Sequence, residues 1–258
     1  MKNLICYFSG TGNSFAIAKK VSAALDESEL FSITKETYMK PTEIKAYDKI
    51  VIIFPSYAYG LPKLVIQFLK KFPFTAPYIA LVVSCGSTSG GTLHSAKRIL
   101  KRRKINCSYH VEIQTVENFI PIFGEQHSDK ITKRLNNQEV KTNELIDAVN
   151  ASKQNKLKGI KPLSAIVSHI FLAFSPILVK CVKINNNCTK CAHCLKICPA
   201  KALYFNKKGK LKIKAKDCNM CQACLNLCPK NAITLVRLKQ KTKKYHHPEI
   251  TNKEFIKR

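Results

Sequence analysis

C-T-K-C-A-H-C-L-K-I-C-P at residues 188–199 is followed by C-N-M-C-Q-A-C-L-N-L-C-P at residues 218–229. Both copies have the spacing C-x2-C-x2-C-x3-C-P, and each cysteine of the second copy lies 30 residues after its counterpart (218 − 188 = 30). A repeat of this kind indicates a duplicated half-domain. The two cysteine sets therefore decide the nature of the C-terminal part of the chain.

The cysteine spacing predicts two [4Fe–4S] clusters. Soft thiolate ligands hold iron tetrahedrally, and the short spacings place three thiolates on one turning loop. In this type of cysteine run, the fourth cysteine ligates the other cluster. The first cluster is therefore assigned to Cys188, Cys191, Cys194 and Cys228. The second is assigned to Cys218, Cys221, Cys224 and Cys198.

Zinc binding and disulfide formation are the simpler uses of clustered cysteines. Zinc sites pair two C-x2-C knuckles, which explains neither the third cysteine nor the C-x3-C-P ending. Disulfides need an oxidising compartment, and nothing in the sequence indicates one. The remaining cysteines are scattered and are interpreted as buried or inert thiols. They are Cys6, Cys85, Cys107 and Cys181.

Residues 185–236 resemble a bacterial two-cluster ferredoxin. Between the cysteine sets, residues 202–205 and 211–213 predict a small hairpin. Residues 232–236 repeat the pattern of the first of these strands, as a duplicated half-domain requires. The resemblance implies electron transfer through the two clusters.

The N-terminal stretch predicts an anion site. Residues 2–8 form an apolar run typical of a buried parallel strand, and a helical pattern begins at Phe15. The loop between them offers backbone N–H groups, glycines and hydroxyls at a helix N-terminus. It has neither the P-loop nor the dinucleotide-binding fingerprint, and a glycine turn with a capping serine is the alternative. The candidate residues are Ser9, Gly10, Thr11, Gly12, Asn13 and Ser14.

Two further loops follow predicted strands. Residues 49–54 predict a strand that leads into a loop with two tyrosines, which suit a planar ring ligand. Ordinary loop tyrosines are the alternative. Residues 78–84 predict the next strand, followed by a glycine-rich loop at residues 85–91 whose amides suit the edge of such a ring. The candidate residues are Pro55, Ser56, Tyr57, Tyr59, Gly60, Ser84, Cys85, Gly86, Gly90 and Gly91.

These three loops resemble, in order and role, the phosphate, aromatic and ring-edge loops of flavodoxins. Loops at the carboxyl ends of adjacent parallel strands meet where doubly wound sheets bind ligands. The resemblance implies an α/β fold over residues 1–150, a flavodoxin-like parallel sheet of order 2-1-3-4-5, and FMN as cofactor. The third loop lacks the acidic residue common in flavodoxins. Residues 117–123 are assigned to core packing, with a flavin cover or a contact with the ferredoxin domain as alternatives.

Residues 151–184 are predicted to form a helical linker. Their apolar stretch, residues 162–179, barely reaches the length of a membrane span and contains Pro162, His169 and Pro176. It is interpreted as an interdomain packing helix, with a helix lying in the membrane interface as the alternative. Residues 237–258 are predicted to be a basic tail that wraps the surface.

The net charge of +28 favours acidic partners or anionic lipid surfaces. We therefore expect acidic redox partner proteins and consider peripheral membrane contact. Lysines are spread along the whole chain without a recognition motif, so nucleic-acid binding is not expected. The N-terminal apolar run is too short for a secretory signal, which makes the cytoplasm the expected location. The sequence determines neither the oligomeric state nor the electron donor and acceptor.

The order of flavodoxin-like domain, helical linker and two-cluster ferredoxin resembles the flavodoxin–ferredoxin fusion proteins over nearly the whole chain. This resemblance implies an electron conduit between the clusters and FMN, joined in one chain at high effective concentration. An FMN-dependent small-molecule reductase is one alternative. A flavin-free cluster carrier docked on a membrane or an acidic partner is the other. No substrate base or nucleophile stands out, so no catalytic residue is assigned.

Overall fold

The computed structural model describes residues 2–39, 46–119, 127–157, 159, 162–235 and 244–257. Its largest element is a parallel sheet of five strands in the order β2-β1-β3-β4-β5. The strands are β1 Asn3–Tyr7, β2 Ser28–Ser32, β3 Lys49–Pro55, β4 Tyr78–Cys85 and β5 Tyr109–Gln114. The predicted α/β class and the strand order 2-1-3-4-5 are confirmed.

Helices cover both faces of this sheet. Successive side chains of a strand point to opposite faces, so Ile52 of β3 joins one apolar core and Ile53 joins the other. This double burial explains why β3 is a continuous apolar run. The helices are α1 Asn13–Ala23, α2 Lys35–Met39, α3 Lys63–Lys71, α4 Thr92–Arg102 and α5 Ser128–Asn150.

The sheet register brings three loops to one edge. Tyr7 of β1 lies opposite Ile53 of β3, and Pro55 at the end of β3 lies opposite Ser84 of β4. Because the strands are parallel, the loops that follow β1, β3 and β4 leave the sheet at neighbouring points.

A cysteine-rich unit follows, with two small antiparallel sheets. Strand β7 pairs with β8 as the predicted hairpin, and β6 pairs with β9. Strand β6 precedes residue 185, where the ferredoxin domain was predicted to begin. The elements are β6 Val182–Ile184, α7 His193–Lys196, β7 Leu203–Phe205, β8 Leu211–Ile213, α8 Ala223–Asn226 and β9 Ile233–Leu235.

The duplication extends to the backbone conformation of this unit. Several residues other than glycine have φ between 48° and 61°, the left-handed region that L-residues rarely adopt. They occur in pairs that are again 30 residues apart, so the two cluster loops fold alike (220 − 190 = 30). The pairs are Lys190 and Met220, Ala192 and Gln222, and Lys201 and Asn231.

Helix α6, Pro162–Lys180, lies between the sheet and the cysteine-rich unit in the sequence. Ser168 on its inner side contacts Gly60, since a Cβ added to that glycine would overlap the Ser168 hydroxyl. The helix therefore packs against the tyrosine-containing loop. Within the described residues, no helix is both long enough and apolar enough to cross a membrane.

The C-terminal segment packs back onto α1. Helix α9, Asn252–Lys257, places the fully buried Phe255 against Phe15, with the ring centroids 6.3 Å apart. Lys19 of α1 donates to the carboxylate of Glu254 at 2.6 Å. The segment thus belongs to the folded body, while residues 237–243 of the predicted basic tail lie outside the described residues.

We expect Phe255→Ala to destabilise the protein by about 3 kcal/mol or more, because it removes a fully buried ring. For a chain of this size, that lowers the melting temperature by at least about 6 °C. Ile256→Ala is the matched control, since the neighbouring side chain is 41% exposed. Equal melting temperatures for the two variants, measured anaerobically, would contradict the docking of α9.

Candidate flavin and cluster sites

The loop after β1 forms an anion site at the start of α1. Gly12 is the N-cap residue of α1 with φ 105°, and no side chain caps this end of the helix. The first-turn N–H groups of a helix have no acceptor within the helix and attract negative charge. Ser9 accepts a hydrogen bond from the Gly12 N–H at 3.1 Å, which fixes the loop around that end. An anion such as a phosphate is the ligand that this arrangement suits.

Residues of all three predicted loops surround a small polar cavity of about 40 Å³. The hydroxyls of Ser14 and Ser84 are 2.8 Å apart and join the first loop to the end of β4. The predicted residues that line the cavity are Ser9, Gly10, Thr11, Asn13, Ser14, Pro55, Ser56, Tyr57, Ser84, Cys85 and Gly86. The structure thus brings the three loops together as the sequence predicted.

A second cavity of about 230 Å³ adjoins the first and is lined by aromatic side chains. Its aromatic lining residues are Tyr57, Tyr59, Phe119 and Phe171 of α6. The two cavities share Ser56, Tyr57, Cys85 and Gly86 among their lining residues. A small polar end at an uncapped helix and a larger aromatic end fit the phosphate and the ring of FMN.

Four predicted residues, all glycines, do not line either cavity. A Cβ added to Gly12, Gly60 or Gly90 would collide with His247, Ser168 or Tyr59, respectively. At Gly90 it would come 2.6 Å from the Tyr59 Cβ. Gly91 is the N-cap residue of α4. The first three glycines therefore allow close packing around the loops.

The loop after β5 supplies cavity residues that sequence reasoning missed. Glu117 and Asn118 line both cavities, and Asn118 donates to the Thr11 hydroxyl at 2.7 Å. Burial raises the pKa of the Glu117 carboxyl, and Arg134 and Lys130 partly oppose this effect. In residues 117–123, interpreted as core packing, Phe119 packs against one apolar core, while Glu117 and Asn118 line the cavities. Residues 120–123 lie outside the described part of the chain.

The eight repeat cysteines gather into the two predicted sets. Cys188, Cys191, Cys194 and Cys228 surround one cavity of about 20 Å³. A second cavity of about 30 Å³ has the remaining four around it, namely Cys198, Cys218, Cys221 and Cys224. Each set thus includes one cysteine from the other copy. Within the described residues, no three His, Cys, Asp or Glu side chains converge as one metal ion would require.

The electrostatics of these sets fit a cationic iron–sulfur core. Burial raises the pKa of Cys194 to about 11, with further contributions from Cys228, Cys188 and Cys191. Burial and the other thiols around its cavity also raise the pKa of Cys224. Four thiolates repel one another at such short range, and binding of iron offsets that repulsion. The N–H groups of Ala202 and Ala232 each donate to a cysteine sulfur at 3.3 Å, Cys198 and Cys228 respectively.

The second cysteine set lies directly against the first loop. A Cβ added to Gly10 would overlap the carbonyl oxygen of Cys221, so these two backbones are in contact. Met220 and Gln222, on either side of Cys221, line the larger cavity. Both have left-handed backbone conformations, which shape the cluster loop at this contact. The cluster loop therefore forms part of the wall of the candidate flavin site.

The C-terminal segment holds the first loop from the other side. Tyr245 donates to the Asn13 side-chain oxygen at 2.8 Å, and the His247 N–H donates to the Thr11 carbonyl at 2.8 Å. The His247 Nδ1 accepts from the Glu249 N–H at 3.3 Å, so the neutral ring carries its proton on Nε2. That Nε2 lies 3.0 Å from the amide nitrogen of Gln138. The Gln138 oxygen has no partner among the described residues, so the amide is assigned in the turned-over orientation, in which this oxygen accepts from Nε2–H.

Family models match both parts of the chain. A flavodoxin domain matches residues 4–91, and a 4Fe-4S dicluster domain matches residues 187–232. A flavoprotein in complex with FMN from Lactobacillus acidophilus NCFM is 17% identical, covering 43% of this chain and 92% of its own, with a TM-score of 0.33. A Streptococcus pneumonia TIGR4 flavodoxin is 14% identical over 54% of this chain and 96% of its own, with a TM-score of 0.36. No curated protein matches the chain.

Gly10→Ala is expected to destabilise the protein by about 1–3 kcal/mol, because the new methyl group meets a backbone carbonyl that cannot turn away. Melting temperature and iron content should both fall. Gly159→Ala is the control, since nothing lies within 4 Å of a Cβ at that position. If Gly10→Ala behaves like Gly159→Ala, the two loops are not in contact.

His247 should make stability depend on pH. Burial, with Lys20, His246 and Lys19, lowers the pKa of His247 to about 4, against about 6.5 in an unfolded chain. The unfolded state therefore binds the proton first, and the stabilisation is complete above about pH 6.5 and is lost as the pH falls towards about 4. The melting temperature of the native chain should drop between about pH 7.5 and about pH 5.5. The melting temperature of the His247→Gln variant should drop less over the same range. Identical pH profiles for the two proteins would contradict a buried neutral ring.

Proposed function

We propose that this chain, a fusion of a flavodoxin domain with a 4Fe-4S dicluster ferredoxin domain, carries electrons between two [4Fe–4S] clusters and a bound FMN. The observation that carries the proposal is the contact between Gly10 of the first loop and Cys221 of the second cysteine set. It supports the proposal because the loop that would hold the flavin phosphate then touches a cluster loop. Iron–sulfur and flavin electron transfer within one folded chain is the function that this contact supports.

The two kinds of cofactor differ in the number of electrons that they carry: each cluster exchanges single electrons, and FMN accepts one or two when bound. The chain's contribution is to hold the sites together. A fixed contact replaces a diffusional encounter between two carriers and acts like a very high effective concentration. The proposal therefore needs no reactive side chain.

The protein residues bind and orient the flavin and restrict water. The uncapped N-terminus of α1 supplies backbone N–H donors for the phosphate. Tyr57, which packs edge-on to Phe8 with the centroids 6.3 Å apart, supplies an aromatic surface for the ring. Ala58 and Tyr59 have φ values of 47° and 63°, and this tight turn sets the direction of the aromatic loop. Met220 and Gln222 close the cavity on the cluster side.

An acidic redox partner fits the first cysteine set. Cys191 is exposed, and the exposed side chains of Lys190 and Lys230 line the same cavity. Positive charge around the most accessible ligand would steer and orient an acidic protein. We propose the cytoplasm for this exchange, because cluster thiolates and buried thiols such as Cys107 suit a reducing compartment.

The test is the cofactor content of the anaerobically purified chain. We expect about eight iron atoms, about eight acid-labile sulfides and about one FMN per chain. About eight iron atoms with no flavin, even after reconstitution with FMN, would overturn the conduit and favour a flavin-free cluster carrier.

Thr11→Val tests the flavin site with the fold preserved. It removes a buried hydroxyl that lines the smaller cavity, and FMN affinity should fall about tenfold or more. Thr142→Val is the matched control, because Thr142 is equally buried but its hydroxyl donates to the Gln138 carbonyl of its own helix. Equal FMN affinities in the two variants, measured by fluorescence quenching, would show that the Ser9–Ser14 loop does not bind the phosphate.

A further inference from the structure

Helix α6 has its apolar side chains on the outside. Ile166, Ile170, Phe174 and Ile177 are between 53% and 56% exposed, while Ser168 and Ser175 are buried. A helix on a globular protein normally has the opposite arrangement. Half of the large apolar side chains that the described residues expose belong to α6, which also includes Val167.

These exposed residues form one continuous surface. Residues 166, 170, 174 and 177 are separated by four, four and three positions, so they follow one face of the helix. We call this face, Ile166, Ile170, Phe174 and Ile177, the α6 stripe. An apolar surface of this extent on a single helix marks an interaction site.

The opposite face of α6 is already occupied. Ser168 contacts Gly60, Phe171 lines the larger cavity, and Val179 is 4% exposed. The helix is thereby fixed with the stripe outward, and rotation about its axis would break these contacts. The stripe must therefore be covered by something outside the described fold, or remain in water.

The charge around the stripe indicates what covers it. Every Asp, Glu, Lys or Arg residue between Asp147 and Asp217 is a lysine. A groove of about 670 Å³ begins at the C-terminal end of α6 and is lined by Lys180, Lys210 and Lys212. A second copy of the chain would bring its own net charge of +28 and would be repelled. An anionic lipid surface offers both an apolar layer and negative headgroups.

We propose that α6 docks this protein on anionic membranes, lying in the plane of the interface with the stripe in the acyl region. Helices that bind in this way combine an apolar face with lysines that reach the headgroups. Lys180, Lys210 and Lys212 meet lipid phosphates. This docking is a property of the outer face of α6 and holds whether or not the flavin and cluster sites exchange electrons.

Vesicle co-sedimentation of the full chain, with its clusters and FMN, tests the proposal. The native chain should bind vesicles of phosphatidylcholine with about 30% phosphatidylglycerol, bind pure phosphatidylcholine at least about tenfold more weakly, and lose affinity as salt rises. The double variant Ile170→Glu/Phe174→Glu should lose about tenfold or more of the affinity for anionic vesicles.

Val140→Glu is the matched control, because Val140 on α5 is 56% exposed and lies outside the stripe. It should bind anionic vesicles like the native chain, and all three proteins should have the same cluster and flavin absorbance. Failure of the native chain to bind anionic vesicles would overturn the proposal. So would unchanged binding by the double variant, or equal binding to neutral vesicles. If the native chain does not bind vesicles but forms a dimer, and the double variant is a monomer, the stripe contacts a second copy of the chain instead.

Discussion

The contact between Gly10 and the carbonyl oxygen of Cys221 is the constraint on which the rest of the structure depends. A Cβ at Gly10 would force the two loops to shift, because the opposing group is backbone and has no rotamer to change. The contact joins the loop that starts α1 to the loop that carries the second cysteine set. Two sites that are typical of separate proteins therefore share a wall.

The duplicated cysteine unit suits this contact because its two cluster loops are not equivalent in their surroundings. Cys191 of the first loop is exposed, whereas the corresponding Cys221 meets the sheet domain. The same local fold, built twice, thus gives one cysteine set with an exposed member and one set that lies against the candidate flavin site. Helix α6 and the cluster loop also help to enclose that site, since Phe171 and Gln222 line the larger cavity.

Local patterns predicted most of this architecture. The three loops followed from apolar runs and glycine-rich turns, the sheet order followed from the resemblance to flavodoxins, and the cysteine spacing predicted both thiolate sets. What the sequence could not supply depends on contacts between distant residues. Asn118 and His247 reach the first loop from more than a hundred residues away, in segments without a motif. The left-handed backbone conformation of Gln222 was not predicted either, because local sequence seldom indicates that conformation for residues other than glycine.

The most direct test is the rate at which electrons equilibrate between the clusters and FMN after partial reduction, followed by stopped-flow absorbance over about a hundredfold range of protein concentration. If the sites share a wall within one chain, the rate constant is first-order and does not change on dilution. An observed rate constant that rises in proportion to protein concentration would mean that electrons pass between separate molecules. That result would contradict the intramolecular conduit.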